Sequence, residues 1–145
     1  MEHKQSLANL FSSMMHKFVL AYGKVLDADI SGSQVYMLEI LENEGSKRST
    51  ELAAQLEISL PAVTNLSNKL VKKGYVERSI PAEDRRVTNL HITPAGSAVL
   101  ERIMSKYYHL TDTIWADFSS EELAQLLQYY EKMVANLETY QPDKE

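Results

Sequence analysis

The chain has 145 residues, 44% of them apolar and 24% charged, with a net charge of −5 and no cysteine. That length allows one domain or two small fused lobes with a real core. The composition excludes a disulfide framework and thiol redox chemistry. No stretch reaches the roughly 18 consecutive apolar residues that span a bilayer, and residues 1–25 are too interrupted by charge for a signal peptide, so a cytoplasmic protein with no membrane partner is expected.

The first predicted helix covers residues 6–26. Leu7, Leu10, Phe11, Met14, Phe18, Tyr22 and Val25 recur every three or four positions, a stripe too apolar to stand uncovered. Asp27 to Ile30 is a break. Ser31, with Gln34 three residues on, opens a second helix as a capping box. Val35, Leu38 and Leu41 form its inner face, and Gly45 ends it. A short third helix runs from Ser49 to Leu56, capped by Ser49 or Thr50, with Leu52, Ala53 and Leu56 inward. Three residues, Glu57-Ile58-Ser59, lead to a fourth.

The fourth helix, Ser59 to Lys73, is the informative one. Ser59 is its N-cap, Pro61 lies in the first turn, and Lys72, Lys73 and Gly74 mark its end. Val63, Leu66 and Leu70 share one face. The opposite face carries Thr64, Asn65, Asn68, Lys69 and Lys72, with Ala62 near its start. Taken alone, this is equally an amphipathic surface helix and a helix for a DNA major groove, where amides and hydroxyls meet base edges and cations meet phosphates. Its neighbours favour the groove. The short helix, tight turn and following helix have the layout of a helix-turn-helix.

After Gly74 the period changes to two. Residues 75–80 and 87–92 read as strands of a hairpin whose tip, Pro81 to Arg86, is polar and basic. Such a tip is a wing. Arg85 and Arg86 suit a narrow minor groove, with Asp84 as an internal partner for Arg86. Thr93-Pro94 opens a long helix that continues through Trp115 toward Phe118, and Ser119 with Glu122 opens the last one. Leu123, Leu126, Leu127, Tyr130, Met133, Val134 and Leu137 give that helix a wide apolar stripe.

Residues 47–86 carry eight basic and five acidic side chains, a net of +3 within a chain of −5. A basic middle in an acidic frame suits a nucleic-acid-reading module joined to a scaffold. The predicted fold is mainly α with a small β-hairpin wing. The winged helix-turn-helix spans 31–94, and residues 1–30 and 95–145 form a helical dimerisation region whose stripes pack against a second copy.

The ordered fragments Glu51-Leu52-Ala53 with Ile58-Ser59, Val63-Thr64, Leu70, KGYVER (73–78), Asp84-Arg85-Arg86, Leu90, Thr93-Pro94 and Gly96 resemble the multiple-antibiotic-resistance regulator (MarR) family of winged-helix transcription factors. The resemblance extends over essentially the whole chain. It implies a homodimer on pseudo-palindromic double-stranded operator DNA, usually a repressor, often released by a small ligand between the lobes. It makes Ser59–Lys73 the reading helix and Arg85 and Arg86 the wing arginines. One departure is Glu57, where the family often has glycine; a non-glycine residue fits there if φ is negative. The alternative is a winged helix used as a protein–protein interaction module.

Tyr22, Tyr36, Tyr107, Tyr108 and Trp115 lie on helices expected to converge, and Tyr22, Tyr36, Tyr107 and Trp115 are the candidate lining of a pocket for a small apolar or aromatic ligand, or else dimer core. No histidine pair has the i, i+4 spacing of a helix metal site. His16 and His109, on separate helices, could meet beside an Asp or Glu to hold a metal, but surface or interface histidines are the favoured reading, and no metal or cofactor is expected. No nucleophile–base set or phosphate loop points to an enzyme.

Overall fold

The computed structural model describes residues 1–26 and 30–143. The predicted break at Asp27 to Ile30 lies, apart from Ile30, outside the described residues. The chain divides into two compact units that meet at Leu110 and Thr111.

In the first unit, α1 (Glu2–Val25) starts four residues earlier than the apolar stripe suggests. Helix α2 (Gly32–Glu44) opens with the expected capping box. Ser31 Oγ accepts from the Gln34 backbone N–H at 3.2 Å, and Gln34 Oε1 accepts from the Ser31 N–H at 2.8 Å. Two first-turn donors are thereby satisfied. Val35, Leu38 and Leu41 are buried as the spacing requires, and Met37 and Ile40 are buried beside them. This helix is the centre of the core. Leu52, Val63, Leu70, Val76, Leu90 and Ile103 close around it from the elements that follow.

A strand that the sequence pattern does not announce comes next. β1 (Lys47–Arg48) pairs antiparallel with β3 (Asn89–Ile92), which also pairs with β2 (Val76–Ser79), so the sheet order is β1-β3-β2. Lys47 faces Leu90 on one side of β3, and Arg78 faces Leu90 on the other. Because the strand ends at Arg48, α3 (Ser49–Leu56) begins there too. Its N-cap is Arg48, not Ser49 or Thr50, and Glu51 reaches back to accept from the Arg48 N–H at 3.1 Å.

The turn out of α3 corrects a second expectation. Glu57 has φ of +53°, in the left-handed region. The Ile58 N–H reaches the Ala53 carbonyl oxygen at 3.1 Å and the Glu57 N–H the Ala54 oxygen at 3.3 Å. This pair of bonds is a Schellman close, which requires a left-handed residue at that point. Ile58 and Ala53 both pack against the core, so the tight closure is held in spite of the glutamate side chain.

Helix α4 (Leu60–Lys72) is capped by Ser59, whose Oγ accepts from the Ala62 N–H at 3.2 Å, with Pro61 in the first turn. Gly74, at φ +78°, ends it. Three segments then meet at Thr93, which is buried. Its backbone N–H donates to the Tyr75 carbonyl oxygen at 3.0 Å, and its hydroxyl donates to the Gly74 carbonyl oxygen. The Thr93 hydroxyl oxygen in turn accepts from the Gly96 N–H at 3.1 Å, capping α5 (Pro94–Ile114) as predicted. Gly96 lies so close to Tyr75 that a Cβ there would collide with the Tyr75 carbonyl oxygen.

Helix α5 stops at Ile114, short of the predicted Trp115 to Phe118, and Asp117 turns the chain with φ of +67°. In the second unit, α6 (Ser120–Glu138) opens with the Ser119–Glu122 capping box, and Trp115 meets Tyr130 edge to face at 6.1 Å between ring centres. Both terminal helices leave apolar side chains uncovered in the single chain, among them Leu10 (68% exposed) on α1 and Leu137 (71%) on α6. No described helix is long and apolar enough to cross a membrane.

Left-handed backbone is unfavourable for a residue with a Cβ. Replacing Glu57 with glycine is therefore expected to raise stability by about 1 kcal/mol, read as a higher urea midpoint at unchanged slope.

Candidate nucleic-acid interface

Helix α4 presents the two faces that its sequence describes. Val63 and Leu70 are fully buried and Leu66 half-buried. Thr64, Asn65, Asn68, Lys69 and Lys72 are exposed on the other side, with Ser59 and Pro61 exposed at the start and Ala62 half-buried. The Thr64 hydroxyl donates back to the Leu60 carbonyl oxygen at 3.1 Å.

The wing tip has the internal brace that the sequence suggests. Asp84 Oδ1 accepts from the Arg86 backbone N–H at 3.0 Å and from Arg86 Nε at 3.1 Å. The aspartate thus closes its own turn and aims the arginine. The Arg86 side chain is 92% exposed, and Arg85 is exposed beside it. The Arg86 N–H, then its guanidinium, hold the Asp84 carboxyl below the usual aspartate range, with Arg48 adding a smaller pull.

Wing and helix-turn-helix share a cleft of about 350 Å³, lined by Arg48, Ser49, Thr50, Leu60, Thr64, Arg86, Val87 and Thr88. The Ser49 N–H donates to the Thr88 carbonyl oxygen at 3.3 Å, which fastens the start of α3 to the wing root. Arg48, Ser49, Thr50 and Thr88 were not among the expected site residues. The strand that brings them together is two residues long and has no apolar alternation to reveal it. A second omission is Arg78 on β2, whose Nη2 donates to Ser67 Oγ at 3.1 Å and to Asn68 Oδ1. Ser67 is buried on α4, a position where apolar spacing alone gives no reason to look for a hydroxyl.

The candidate pocket residues are only partly gathered. Tyr22 and Tyr107 meet edge to face at 6.1 Å, and Phe18, not in the expected set, stacks on Tyr22 at 5.8 Å. Tyr108 abuts Tyr107. Tyr36 instead turns outward, 50% exposed, while its helix neighbours fill the core. Trp115 belongs to the second unit, against Tyr130. Burial raises the Tyr22 pKa, helped by Glu39 and Tyr107, and burial also raises that of Glu39. His91 pairs with Glu77 across the β2–β3 ladder at 3.0 Å. Among the described residues, no three His, Asp or Glu side chains are grouped to hold a metal ion.

The model of the MarR family matches residues 30–88, from the last residue before the α2 cap to the wing root. The uncharacterised HTH-type transcriptional regulator YpoP of Bacillus subtilis is 33% identical over 110 residues, 76% of this chain and 78% of that protein. The chain belongs to the MarR family. The transcriptional repressor MprA of Escherichia coli K12 is 28% identical over 94% of this chain and 80% of its own. A mutant of S. aureus MepR solved bound to an oligodeoxyribonucleotide superposes with a TM-score of 0.65 at 25% identity, over 90% of this chain and 97% of that one. The protein is a winged-helix transcriptional regulator of the MarR family, and α4, the wing and the cleft beside them lie within or beside the matched segment.

The Asp84–Arg86 brace has a pH signature. A carboxyl whose folded pKa is depressed contributes order above its unfolded pKa and loses it as pH falls through the folded value. In a carbon-detected NMR titration, Asp84 is expected to have a midpoint below 3.8, the ordinary aspartate value. Arg86→Ala should move that midpoint upward, though not fully, because the backbone N–H remains.

Proposed function

We propose that the protein acts as a homodimer that binds pseudo-palindromic operator DNA and represses transcription in the cytoplasm. One α4 enters the major groove of each half-site, and one wing arginine reaches the adjacent minor groove. The observation that carries this reading is the exposed polar and cationic face of α4 beside a wing whose Arg86 is aimed by Asp84. Thr64, Asn65 and Asn68 are assigned to base edges, with Ala62 against a thymine methyl, and Ser59 and Pro61 at the point where the helix enters the groove. Lys69, Lys72 and Arg85 are assigned to phosphates.

The uncovered apolar faces of α1 and α6 support pairing with a second copy. On this reading residues 31–94 are the DNA-binding part, and residues 1–30 and 95–145 the dimerisation part. The MepR–oligodeoxyribonucleotide complex and the repressor MprA support DNA binding and repression. A small apolar or aromatic ligand against the rings of Phe18, Tyr22 and Tyr107 is the proposed release signal.

The test is selection of bound fragments from genomic DNA, sequencing, and titration of the recovered sites at several salt concentrations. Two half-sites one helical turn apart, or a multiple of it, are expected. Binding should weaken steeply with salt as counterions are released. Arg86→Ala should cost about 1–3 kcal/mol of operator affinity at an unchanged melting temperature. Equal binding by that variant would remove Arg86 from the interface. Failure to enrich any DNA would instead favour a protein–protein interaction module.

A further inference from the structure

The cleft of about 350 Å³ between the helix-turn-helix and the wing has no role in the reading given so far. Arg48 stands on one side of it and Arg86 on the other, both exposed. The backbone of Arg48 is rigid: it pairs with Asn89 in the sheet, and its N–H donates to Glu51. Its guanidinium makes no hydrogen bond among the described residues, though it is near enough to Asp84 to act on that carboxyl. The hydroxyls of Ser49, Thr50 and Thr88 also line the cleft and have no partner among the described residues. The two neighbouring acids are occupied elsewhere, Glu51 as a cap and Asp84 as the brace of Arg86, and neither lines the cleft. Nor does the start of α3 supply the attraction, because the Ser49 N–H is spent on the Thr88 carbonyl oxygen.

The place of the cleft says what would fill it. A major groove and the adjacent minor groove are separated by one sugar–phosphate strand. With α4 in the first and the Arg86 side of the wing in the second, that strand has to cross the gap between them, which is this cleft. Guanidinium and hydroxyl donors are the groups that hold phosphate oxygens. Leu60, 45% exposed, supplies an apolar wall for the deoxyribose.

We infer that the cleft binds one phosphodiester of the operator, held by the Arg48 guanidinium and the hydroxyls of Ser49, Thr50 and Thr88. The inference rests on the reading of α4 as the helix in the major groove. Arg48 then contributes affinity at every sequence, and no base preference.

The experiment places a neutral methylphosphonate at each phosphate of a recovered half-site in turn and titrates the full chain and its variants, each checked for an unchanged melting temperature. One phosphate, on the strand between the two grooves, should cost the full chain about tenfold when neutralised. Arg48→Ala should lose about tenfold on the unmodified site and nothing more at that phosphate. Lys72→Ala, which removes a cation outside the cleft, should keep the loss there. Arg48→Ala should also lower the salt slope by about one for each half-site, at an unchanged selected sequence, and Arg48→Lys should restore the slope.

An Arg48→Ala variant that is penalised at every phosphate just as the full chain is would overturn the inference. So would an altered base preference in that variant. If it binds operator as the full chain does, while benzoate or inorganic phosphate shifts the Thr88 amide resonance of the free protein, the cleft belongs to a small anion and the inference falls alone. If the full chain selects no DNA, the groove reading of α4 falls with it.

Discussion

The buried hydroxyl of Thr93 is the contact on which the arrangement of the first unit depends. One side chain and one backbone N–H join the end of α4, the residue that leads into β2 and the start of α5. Each bond is modest in net free energy, but leaving any of these buried groups unpaired costs more than the bond itself contributes. The junction also needs Gly96, because the Tyr75 carbonyl occupies the space where a side chain would begin. The junction of α4 with the hairpin is therefore held by Thr93 and the backbone around it, and does not depend on the exposed lysines of the surface.

That independence matters because the surface electrostatics are mixed. The chain as a whole is acidic, yet residues 47–86 are basic. At physiological salt, exposed charges interact over roughly 8 Å. Acidic residues farther away are screened, while Arg48, Arg86 and the α4 lysines act at contact range on whatever approaches that face. Net charge alone would mislead about the partner; the local arrangement of charge does not.

Most of the fold could be read from the sequence because its helices are strongly periodic and conventionally capped. Ser31, Ser59, Thr93 and Ser119 all cap as their spacing requires. The unread features are those whose cause is tertiary. Lys47 and Arg48 form a strand because β3 offers them a ladder, and two charged residues carry no alternation. Glu57 takes a left-handed backbone because the Schellman close and Ile58 packing outweigh its Cβ. Ser67 is buried because it falls between Val63 and Leu70 on the inner face of α4, but the strand arginine that bonds it comes from eleven residues away, a separation that helical periodicity does not encode. The exposed face of α4 was legible as composition; the hydrogen bond that Arg78 makes to it was not.

The two-residue strand also protects the sheet. Without β1, the central β3 would present a row of open N–H and C=O groups, a template for strand addition between chains. With it, the outer edge is too short to propagate a further ladder, and the opposite edge, β2, carries Glu77 and Arg78 in its four residues. Self-association of the sheet is discouraged at both ends. The uncovered apolar helices are thus left as the surfaces best suited to bring two chains together.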